Sequence, residues 1–360
     1  MTASIITLDS RQLQLEEPMY FNLEMDGDRV ATVDVVAGQS HRGLETLVLK
    51  RNFYQNITLL ERLCSLCSNS HPSTFCMALE EIAGIAIPER AEYLRVIADE
   101  IKRIASHLFN CALLAHIAGR DALFKEIMEL REIMQDTKEA IYGNRMDLAA
   151  NCLGGVRYDP SPEALSYLKG QMEKMKQPLE TLLSLFGSDA GLRARMEGVG
   201  VLSPEQAKAC GVVGPVARAC GIGYDTRRKS PYFAYPDLPF EVVVEEGGDV
   251  RARALVRLRE ARESVGIIER CVERMPGGPV APEVLPEVPA GEAIAKSEAP
   301  RGELLYYLVT DGSQLPVRLK WRVPSFMNWD ALGFMLRGER LADIPLIVNS
   351  IDPCISCTDR

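Results

Sequence analysis

The sequence lacks the features that mark several large classes of protein. It has no long run of lysine and arginine, and 41 basic against 50 acidic side chains give a net charge of −9. No nucleic-acid partner is therefore expected, because binding to phosphates requires clustered positive charge. No apolar stretch reaches the ~18 residues that a membrane-spanning helix needs, and the first residues show no basic segment followed by an apolar one. Without an export signal, a cytoplasmic location is predicted.

Cysteine is too sparse for a disulfide scaffold, with ten residues in 360. Four of the ten nevertheless form two C-x-x-C pairs, Cys64 with Cys67 and Cys354 with Cys357. At this composition chance produces about 0.3 such pairs, so two pairs are informative. The other six cysteines are expected to be packing residues in the core.

Hydrophobic periodicity predicts the order of the secondary-structure elements. Residues 18–37 alternate apolar and polar positions around Asp26-Gly27, which predicts a β-hairpin. An apolar residue at every third or fourth position predicts helices, and prolines in close succession predict a loop. The helices are expected at 88–140 with a break at Gly119, at 163–186, at 202–212 and at 252–274, the loop at 276–290, and two strands at 304–309 and 317–323.

These elements define an α+β fold class. A mostly helical core, a bundle of long helices, is expected between a short N-terminal hairpin and C-terminal strands. With 47% apolar residues the chain is large enough to bury a substantial core, and we expect one integrated domain over residues 1–360. Its parts in chain order are a β-rich segment at about 15–60, the helical core at about 88–275, the proline-rich loop at 276–290 and a segment of strands and metal ligands at 300–360.

The spacing of the four paired cysteines indicates a metal centre. Two thiolates three positions apart can bind one metal ion or one dinuclear unit. Four thiolates buried together repel one another and lose their hydration, so a cation is needed to stabilise them. Structural zinc, an iron–sulfur cluster and a nickel–iron centre all use such ligands. Zinc pairs usually lie ~15–20 residues apart, whereas these pairs lie near opposite ends of the chain, which places the metal in the middle of the fold.

Two motifs carry a resemblance to a known family. Arg62-x-Cys64-x-x-Cys67-x-x-x-His71 and Asp352-Pro353-Cys354-x-x-Cys357 resemble the large subunit of [NiFe]-hydrogenases. Further motifs resemble the membrane-bound, energy-converting group, with its Ech-type, CO-induced and formate-hydrogenlyase enzymes. These motifs are residues 41–45, 154–159, 214–221, 225–228, 299–303 and 324–326. The similarity spans about residues 15–360 and extends to the homologous 49-kDa subunit of respiratory complex I, which lacks the cysteine pairs.

The resemblance implies a catalytic centre held by the four cysteines. Cys64 and Cys354 would be terminal ligands of nickel, and Cys67 and Cys357 would bridge nickel to an iron atom that carries CO and cyanide. The implied reaction is the reduction of protons to H2, or its reverse. The alternative is a complex I-like subunit without hydrogenase activity that lines a quinone pocket or holds a structural metal.

The resemblance also implies partner subunits. Because the cysteine pairs are used by the nickel–iron centre, electrons would come from an iron–sulfur small subunit, supplied in turn by a ferredoxin-like donor subunit. Integral membrane subunits would hold the chain on the inner face of the cell membrane and couple the reaction to ion translocation. The chain itself would be peripheral to the membrane.

Other residues match functional positions of the family. Arg301 matches an arginine placed over the two metals, and Asp352 matches the carboxylate that orients it. Glu17 lies before Glu45 at the family's offset for a glutamate that relays protons.

Two further matches concern the surroundings of the metals. Glu45 matches a ligand of a second metal, magnesium or iron, but Arg360 stands where the family has the partner histidine. A structural role or a role in proton transfer is therefore the alternative for Glu45. His71 matches a histidine that hydrogen-bonds a bridging thiolate.

Overall fold

Helices occupy the middle of the chain, and a small antiparallel sheet lies towards each end. The computed structural model describes residues 4–284 and 286–360. The strands are β1 (Ser4–Asp9), β2 (Tyr20–Asp26), β3 (Arg29–Val36), β4 (Asn151–Cys152), β5 (Gly155–Val156), β6 (Ala290–Ala299), β7 (Gly302–Asp311) and β8 (Pro316–Arg322). The helices are α1 (Leu44–Leu47), α2 (Phe53–Glu61), α3 (Ser70–Ala83), α4 (Glu89–Ile117), α5 (Asp121–Tyr142), α6 (Pro162–Ser188), α7 (Ala190–Met196), α8 (Pro204–Cys210), α9 (Gly214–Arg218), α10 (Thr226–Lys229), α11 (Val250–Arg274), α12 (Pro324–Asn328), α13 (Leu332–Met335), α14 (Ile344–Ser350) and α15 (Ile355–Asp359).

The predicted N-terminal hairpin is confirmed, and it belongs to a three-stranded sheet. Strands β2 and β3 pair antiparallel across Gly27, whose positive φ of 65° suits the tight turn. Strand β1 adds to β2 and was not predicted, because half of its side chains are exposed and they show no clear alternation. The segment at about 15–60 was expected to be β-rich, but only its first part forms strands. Its strands end at Val36, and α1 and α2 follow.

The predicted helical core is confirmed, and α4 lies at its centre. This helix packs against α5, α11 and α14, and it ends two residues before Gly119, where the break was predicted. The sequence pattern places the charged residues of α4 away from its apolar stripe, yet the structure buries them as well. Arg95, Arg103 and Lys102 are each at most 2% exposed. Helix α4 is therefore enclosed on all sides rather than amphipathic.

Ion pairs and hydrogen bonds satisfy many of the charges buried around α4. Glu100 accepts hydrogen bonds from Arg227 at 3.0 Å and from Ser264 at 2.5 Å. His107 contacts Glu260 at 3.0 Å, and burial lowers the pKa of His107 to about 4, which keeps it neutral near pH 7. Buried charges require such partners because desolvation is costly.

The C-terminal sheet contains one strand that the sequence pattern did not predict. Strands β7 and β8 were predicted, and β6 pairs antiparallel with β7 along its whole length. Its sequence, AGEAIAKSEA, is rich in alanine and charged residues, which have low strand propensity. Pairing with β7 and packing against α3 decide its structure instead. This sheet, α2 and α3 form a hydrophobic core separate from that of the long helices, and it includes the four paired cysteines.

The predicted α+β fold class is confirmed, and the expectation of one integrated domain stays a prediction. Between α11 and β6 the described residues form neither helix nor strand, as the prolines predict. Among the described residues, none of the helices combines the length and hydrophobicity needed to cross a bilayer.

The proline-rich loop packs closely on the turn between β4 and β5. The amide of Val156 donates to the carbonyl of Val280 at 2.9 Å. A Cβ atom on Gly155 would lie 2.1 Å from the same carbonyl oxygen. Glycine at this position therefore permits backbone-to-backbone contact between the loop and β5.

We expect Gly155→Ala to detach this loop and to lower the free energy of unfolding by about 1–3 kcal/mol, as overpacking does. Gly170→Ala is the matched control, because Gly170 lies in α6 with no atom within 4 Å of an added Cβ; it should be neutral or stabilising by about 0.5–1 kcal/mol. Thermal unfolding and limited proteolysis at residues 276–284 measure both variants. Equal protease resistance of the two variants would contradict the proposed contact.

Candidate metal centre

The four paired cysteines meet in the interior of the protein. Their sulfur atoms all lie within 4.8 Å of one another. Cys64 and Cys354 contact each other at 3.1 Å, and Cys67 and Cys357 at 3.7 Å, although each pair is 290 positions apart in sequence. All four side chains are buried, at most 5% exposed. Each contact therefore joins one cysteine near the N-terminus to one near the C-terminus.

Local structure presents each pair of thiols from a short segment. Cys64 and Cys67 lie in the loop between α2 and α3, and Cys354 and Cys357 lie at the start and in the first turn of α15. The last residues are held in place by the loop after β3. Asp359 accepts hydrogen bonds from the amides of Gly38 and Ser40. These bonds tie the C-terminal ligand segment to the N-terminal part of the chain.

Arg42 joins the two cysteine segments directly. Its Nη2 donates at 3.0 Å to the carbonyl of Leu63 and at 3.0 Å to that of Ser356. One carbonyl precedes Cys64 and the other lies between Cys354 and Cys357. A single guanidinium therefore fixes the spacing of the two segments.

The donor set fits a transition-metal centre. Hydrogen bonds with the other thiols lower the pKa of Cys67, whereas burial raises the pKa of Cys357. The opposite directions reflect four groups that cannot all ionise without a cation. Soft thiolates suit nickel, iron and zinc. In residues 4–284 and 286–360 these cysteines are the one group of three or more ligating side chains close enough to hold an ion.

His71 contacts one of the thiols from the first turn of α3. Its Nε2 lies 3.3 Å from the sulfur of Cys357, and its Nδ1 lies 2.8 Å from the hydroxyl of Tyr306. Tyr306 in turn stacks on Trp321 with ring centroids 5.6 Å apart. The contact of Nδ1 with the buried Tyr306 thus orients the imidazole so that Nε2 points at the sulfur of Cys357.

Arg301 and Asp352 form an ion pair beside the thiols. Arg301 Nη2 donates to Asp352 Oδ1 at 2.7 Å, and Nε donates to the Asp352 carbonyl at 2.8 Å. Nη1 donates to the hydroxyl of Ser106 at 3.1 Å. Burial by itself would lower the pKa of Arg301, but Asp352 and the thiols of Cys354 and Cys67 raise it above its ordinary value. Arg301 is therefore a permanent cation at this site.

Two glycines set the backbone position of Arg301. A Cβ atom on Gly214 would lie 2.2 Å from the carbonyl oxygen of Arg301, and one on Gly302 would lie 2.6 Å from the amide nitrogen of Gly214. The start of α9 and the turn between β6 and β7 thus touch backbone to backbone. Only glycine at both positions permits this approach.

Glu17 reaches the same site from the loop after β1. Its carboxylate accepts hydrogen bonds from the amide and the hydroxyl of Ser356, which lies between Cys354 and Cys357. Burial raises the pKa of Glu17. A cleft that Glu17 lines continues to Cys64, Cys354 and Arg301.

Glu45 lies outside the group of sulfurs, and both oxygens of its carboxylate are bound by cationic side chains. One of its oxygens accepts from Arg360 Nε at 2.9 Å, and the other pairs with Lys320. Although partial burial opposes ionisation, these two partners lower the pKa of Glu45. The structure therefore places it in a salt bridge that joins β8 to the C-terminal residues.

Several residues of the site have roles that no motif reveals. Ser106 and Tyr306 each contact the site through one side-chain hydrogen bond, and Arg42 does so through two. Arg42 lies in the motif at 41–45 and Gly214 in the motif at 214–221, but the motifs do not reveal what these two residues contact. Only the tertiary contacts show them.

Comparison with known proteins identifies the class to which this fold and site belong. The family model of the respiratory-chain NADH dehydrogenase 49-kDa subunit matches residues 118–286 and 283–360, and that of nickel-dependent hydrogenase matches residues 42–121. Together they define the class of large subunits that unites hydrogenases with complex I.

Individual relatives show which members of this class the chain is similar to. The chain is 55% identical to the carbon monoxide-induced hydrogenase of Rhodospirillum rubrum over 100% of both chains. It is 38% identical to the membrane-bound hydrogenase subunit alpha of Pyrococcus furiosus, covering 96% of this chain and 85% of that one. It also superimposes with a TM-score of 0.94 and 33% identity on a chain of an archaeal membrane-bound sulfane sulfur reductase, covering 99% and 98% of the two chains.

The chain therefore belongs to the energy-converting group of [NiFe]-hydrogenase large subunits and their complex I relatives. The predicted resemblance, and with it the hydrogenase class of oxidoreductase, is confirmed. Relatives in this group include subunits of membrane-bound complexes.

We expect Gly214→Ala to reduce hydrogen evolution by about 10²-fold at equal metal content, because it displaces Arg301 from the sulfurs. Gly221→Ala is the matched control, since Gly221 also has a positive φ, 79°, but no atom within 4 Å of an added Cβ. Rates measured with an artificial electron donor compare the two. If both variants lose the same activity, backbone strain rather than the close approach is responsible.

Proposed function

We propose that this protein is the catalytic large subunit of an energy-converting [NiFe]-hydrogenase, which reduces protons to H2 or oxidises H2. The observation that carries the proposal is the convergence of four buried thiols from opposite ends of the chain within 4.8 Å. A nickel-dependent hydrogenase match and a hydrogenase relative at 55% identity support it. The complex I-like alternative is less favoured, because a quinone pocket has no need of four thiols.

We propose that Cys64 and Cys354 bind nickel alone and that Cys67 and Cys357 bridge nickel to iron. The contacts of Cys64 with Cys354 and of Cys67 with Cys357 support the grouping of the four cysteines into these two pairs. Iron with CO and cyanide ligands completes the proposed centre. When bound, the two metals supply the position at which H2 is split or formed.

Arg301 orients and stabilises what binds beside the sulfurs. Its guanidinium is held by Asp352 and Ser106, and it lines a small cavity together with Cys67, Cys354 and Cys357. A buried cation at this position stabilises anionic groups that bind beside the sulfurs. Asp352 keeps the guanidinium in place and balances its charge.

Glu17 is the proposed proton relay between the thiols and the surface. Glu17 is half-buried, accepts hydrogen bonds from Ser356 in the first turn of α15, and has a raised pKa. A carboxyl group with a raised pKa exchanges protons near neutral pH more readily than an ordinary surface glutamate does. The cleft beside it gives a route to solvent.

For two further residues we propose supporting roles. His71 donates to the sulfur of Cys357 and stabilises its negative charge, as the 3.3 Å contact supports. Glu45 has a structural role, because Arg360 and Lys320 occupy both of its oxygens. A second metal at Glu45, magnesium or iron, is not favoured by this arrangement.

The proposed assembly contains partners for electrons and for the membrane. An iron–sulfur small subunit delivers electrons, a ferredoxin-like subunit supplies them, and integral membrane subunits anchor the complex on the inner face of the cell membrane. Relatives named as membrane-bound complexes support the membrane partners.

Replacing Cys64 or Cys354 by serine should remove nickel and abolish hydrogen–deuterium exchange, because a hydroxyl is a poor ligand for a soft metal. Metal analysis of the complex from its native host, with exchange measured by mass spectrometry, checks this. Cys210→Ser, a partly exposed cysteine outside the group, is the control and should keep both. Stoichiometric zinc without nickel in the unaltered protein would contradict the proposed function.

Glu17→Gln should keep the metals but slow hydrogen evolution by about 10²-fold or more, because the amide cannot take up or release the proton. Infrared spectra of the iron-bound CO and cyanide should remain close to those of the unaltered protein. Glu24→Gln, at an exposed position of β2, is the matched control. An unchanged rate in Glu17→Gln would remove Glu17 from the proton path.

A further inference from the structure

Lys102 is a buried cation that the proposed reaction does not use. It lies in the middle of α4, and only 2% of it is exposed. Its ammonium donates at 2.9 Å to the carbonyl of Ser65 and at 2.8 Å to the carbonyl of Met146. Ser65 lies directly after Cys64 in the loop between α2 and α3. Lys102 therefore holds the N-terminal ligand loop against the segment after α5.

The charge of Lys102 lies close to two of the thiols. Burial lowers the pKa of Lys102 to about 8, while Cys64, Asp147 and Cys67 act in the opposite direction. Both of its hydrogen-bond acceptors are neutral carbonyls. Its ammonium thus has no carboxylate hydrogen-bonded to it, and one of its two acceptors is the carbonyl of the residue that follows Cys64.

The nearest carboxylates are shared with another cation. Arg62 pairs with Asp147 at 2.6 Å and with Glu61 at 3.3 Å. Lys102, Arg62, Asp147 and Glu61 together have no net formal charge. Without Lys102 this group carries one excess negative charge beside the cysteine loop, and a low local dielectric makes that charge effective.

A second cation lies near the same sulfurs but is neutralised. Arg301 is bound to the Asp352 carboxylate at 2.7 Å. Its charge is therefore matched within the pair, whereas that of Lys102 is matched only through the more distant group around Arg62. Lys102 is the better candidate for an electrostatic effect on Cys64 and Cys67.

We propose that Lys102 is a positioning residue that holds the Cys64–Cys67 loop and, through its positive charge, raises the reduction potential of the metal centre. The proposal rests on the proposed function, because it requires a redox-active metal on these cysteines. A positive charge nearby stabilises the form of the centre that carries an additional electron.

Three variants of the complex isolated from its native host test this proposal. Lys102→Met keeps the chain length but removes the charge and both hydrogen bonds, and Lys102→Arg keeps the charge. Lys125→Met, at an exposed position of α5, is the control. Metal analysis gives the nickel content, and potentiometric titration of the nickel electron paramagnetic resonance signal gives the midpoint potential.

We expect Lys102→Met to shift the midpoint potential to more negative values with nickel retained. The potential of Lys102→Arg should stay near that of the unaltered complex, and Lys125→Met should match it. An unchanged potential in nickel-loaded Lys102→Met would overturn the proposal.

If Lys102→Met fails to bind nickel, a further variant tests the proposal. Lys102→Gln is then measured, since its amide can donate to a carbonyl but carries no charge. A shift in Lys102→Gln but not in Lys102→Arg supports the charge effect, and equal nickel loss in both overturns it. Absence of nickel from the unaltered complex would instead contradict the proposed function.

Discussion

Four thiols confined to one buried site impose the constraint on which the rest of the structure depends. Their sulfurs lie within 4.8 Å and are shielded from water, so their ionised forms repel one another strongly and lose hydration. A cationic centre removes that penalty, and the surroundings are arranged accordingly. Arg42 and Asp359 fix the two ligand segments relative to each other. Arg301 and Lys102 bring positive charge to the two ligand segments, Arg301 beside Asp352 and Lys102 at the carbonyl of Ser65.

Close backbone contacts fix the positions of the side chains around the four thiols. Gly214 and Gly302 let two chain segments touch where side chains would keep them apart, which determines how far Arg301 projects towards the sulfurs. His71 is oriented through Tyr306, which stacks on Trp321 in the C-terminal sheet. The sheet and the helices thus contribute complementary parts: the sheet orients the groups around the centre, and α4 delivers Ser106 and Lys102 from its buried middle.

The family relationships show that proteins with this fold belong to complexes with different reactions. Its relatives include hydrogenases, a sulfane sulfur reductase complex and respiratory-chain subunits, and function has to be argued from the site rather than the fold. In this chain the four thiols and the Arg301–Asp352 pair favour hydrogenase chemistry. At Glu45, a position that resembles a metal ligand, the carboxylate accepts instead from Arg360 and Lys320.

The sequence by itself determined the two C-x-x-C pairs, the hairpin around Gly27, the long helices and the proline-rich loop, because spacing, periodicity and turn chemistry are local. Tertiary structure alone decided that alanine-rich β6 is a strand, since pairing with β7 overrides its weak propensity. It also decided that the charged residues of α4 lie inside, because their partners come from distant segments. The convergence of the two cysteine pairs on one metal was predicted from their spacing, and the resemblance implied which cysteine binds which metal. The geometry of the site depends on contacts 290 positions apart that no local pattern records.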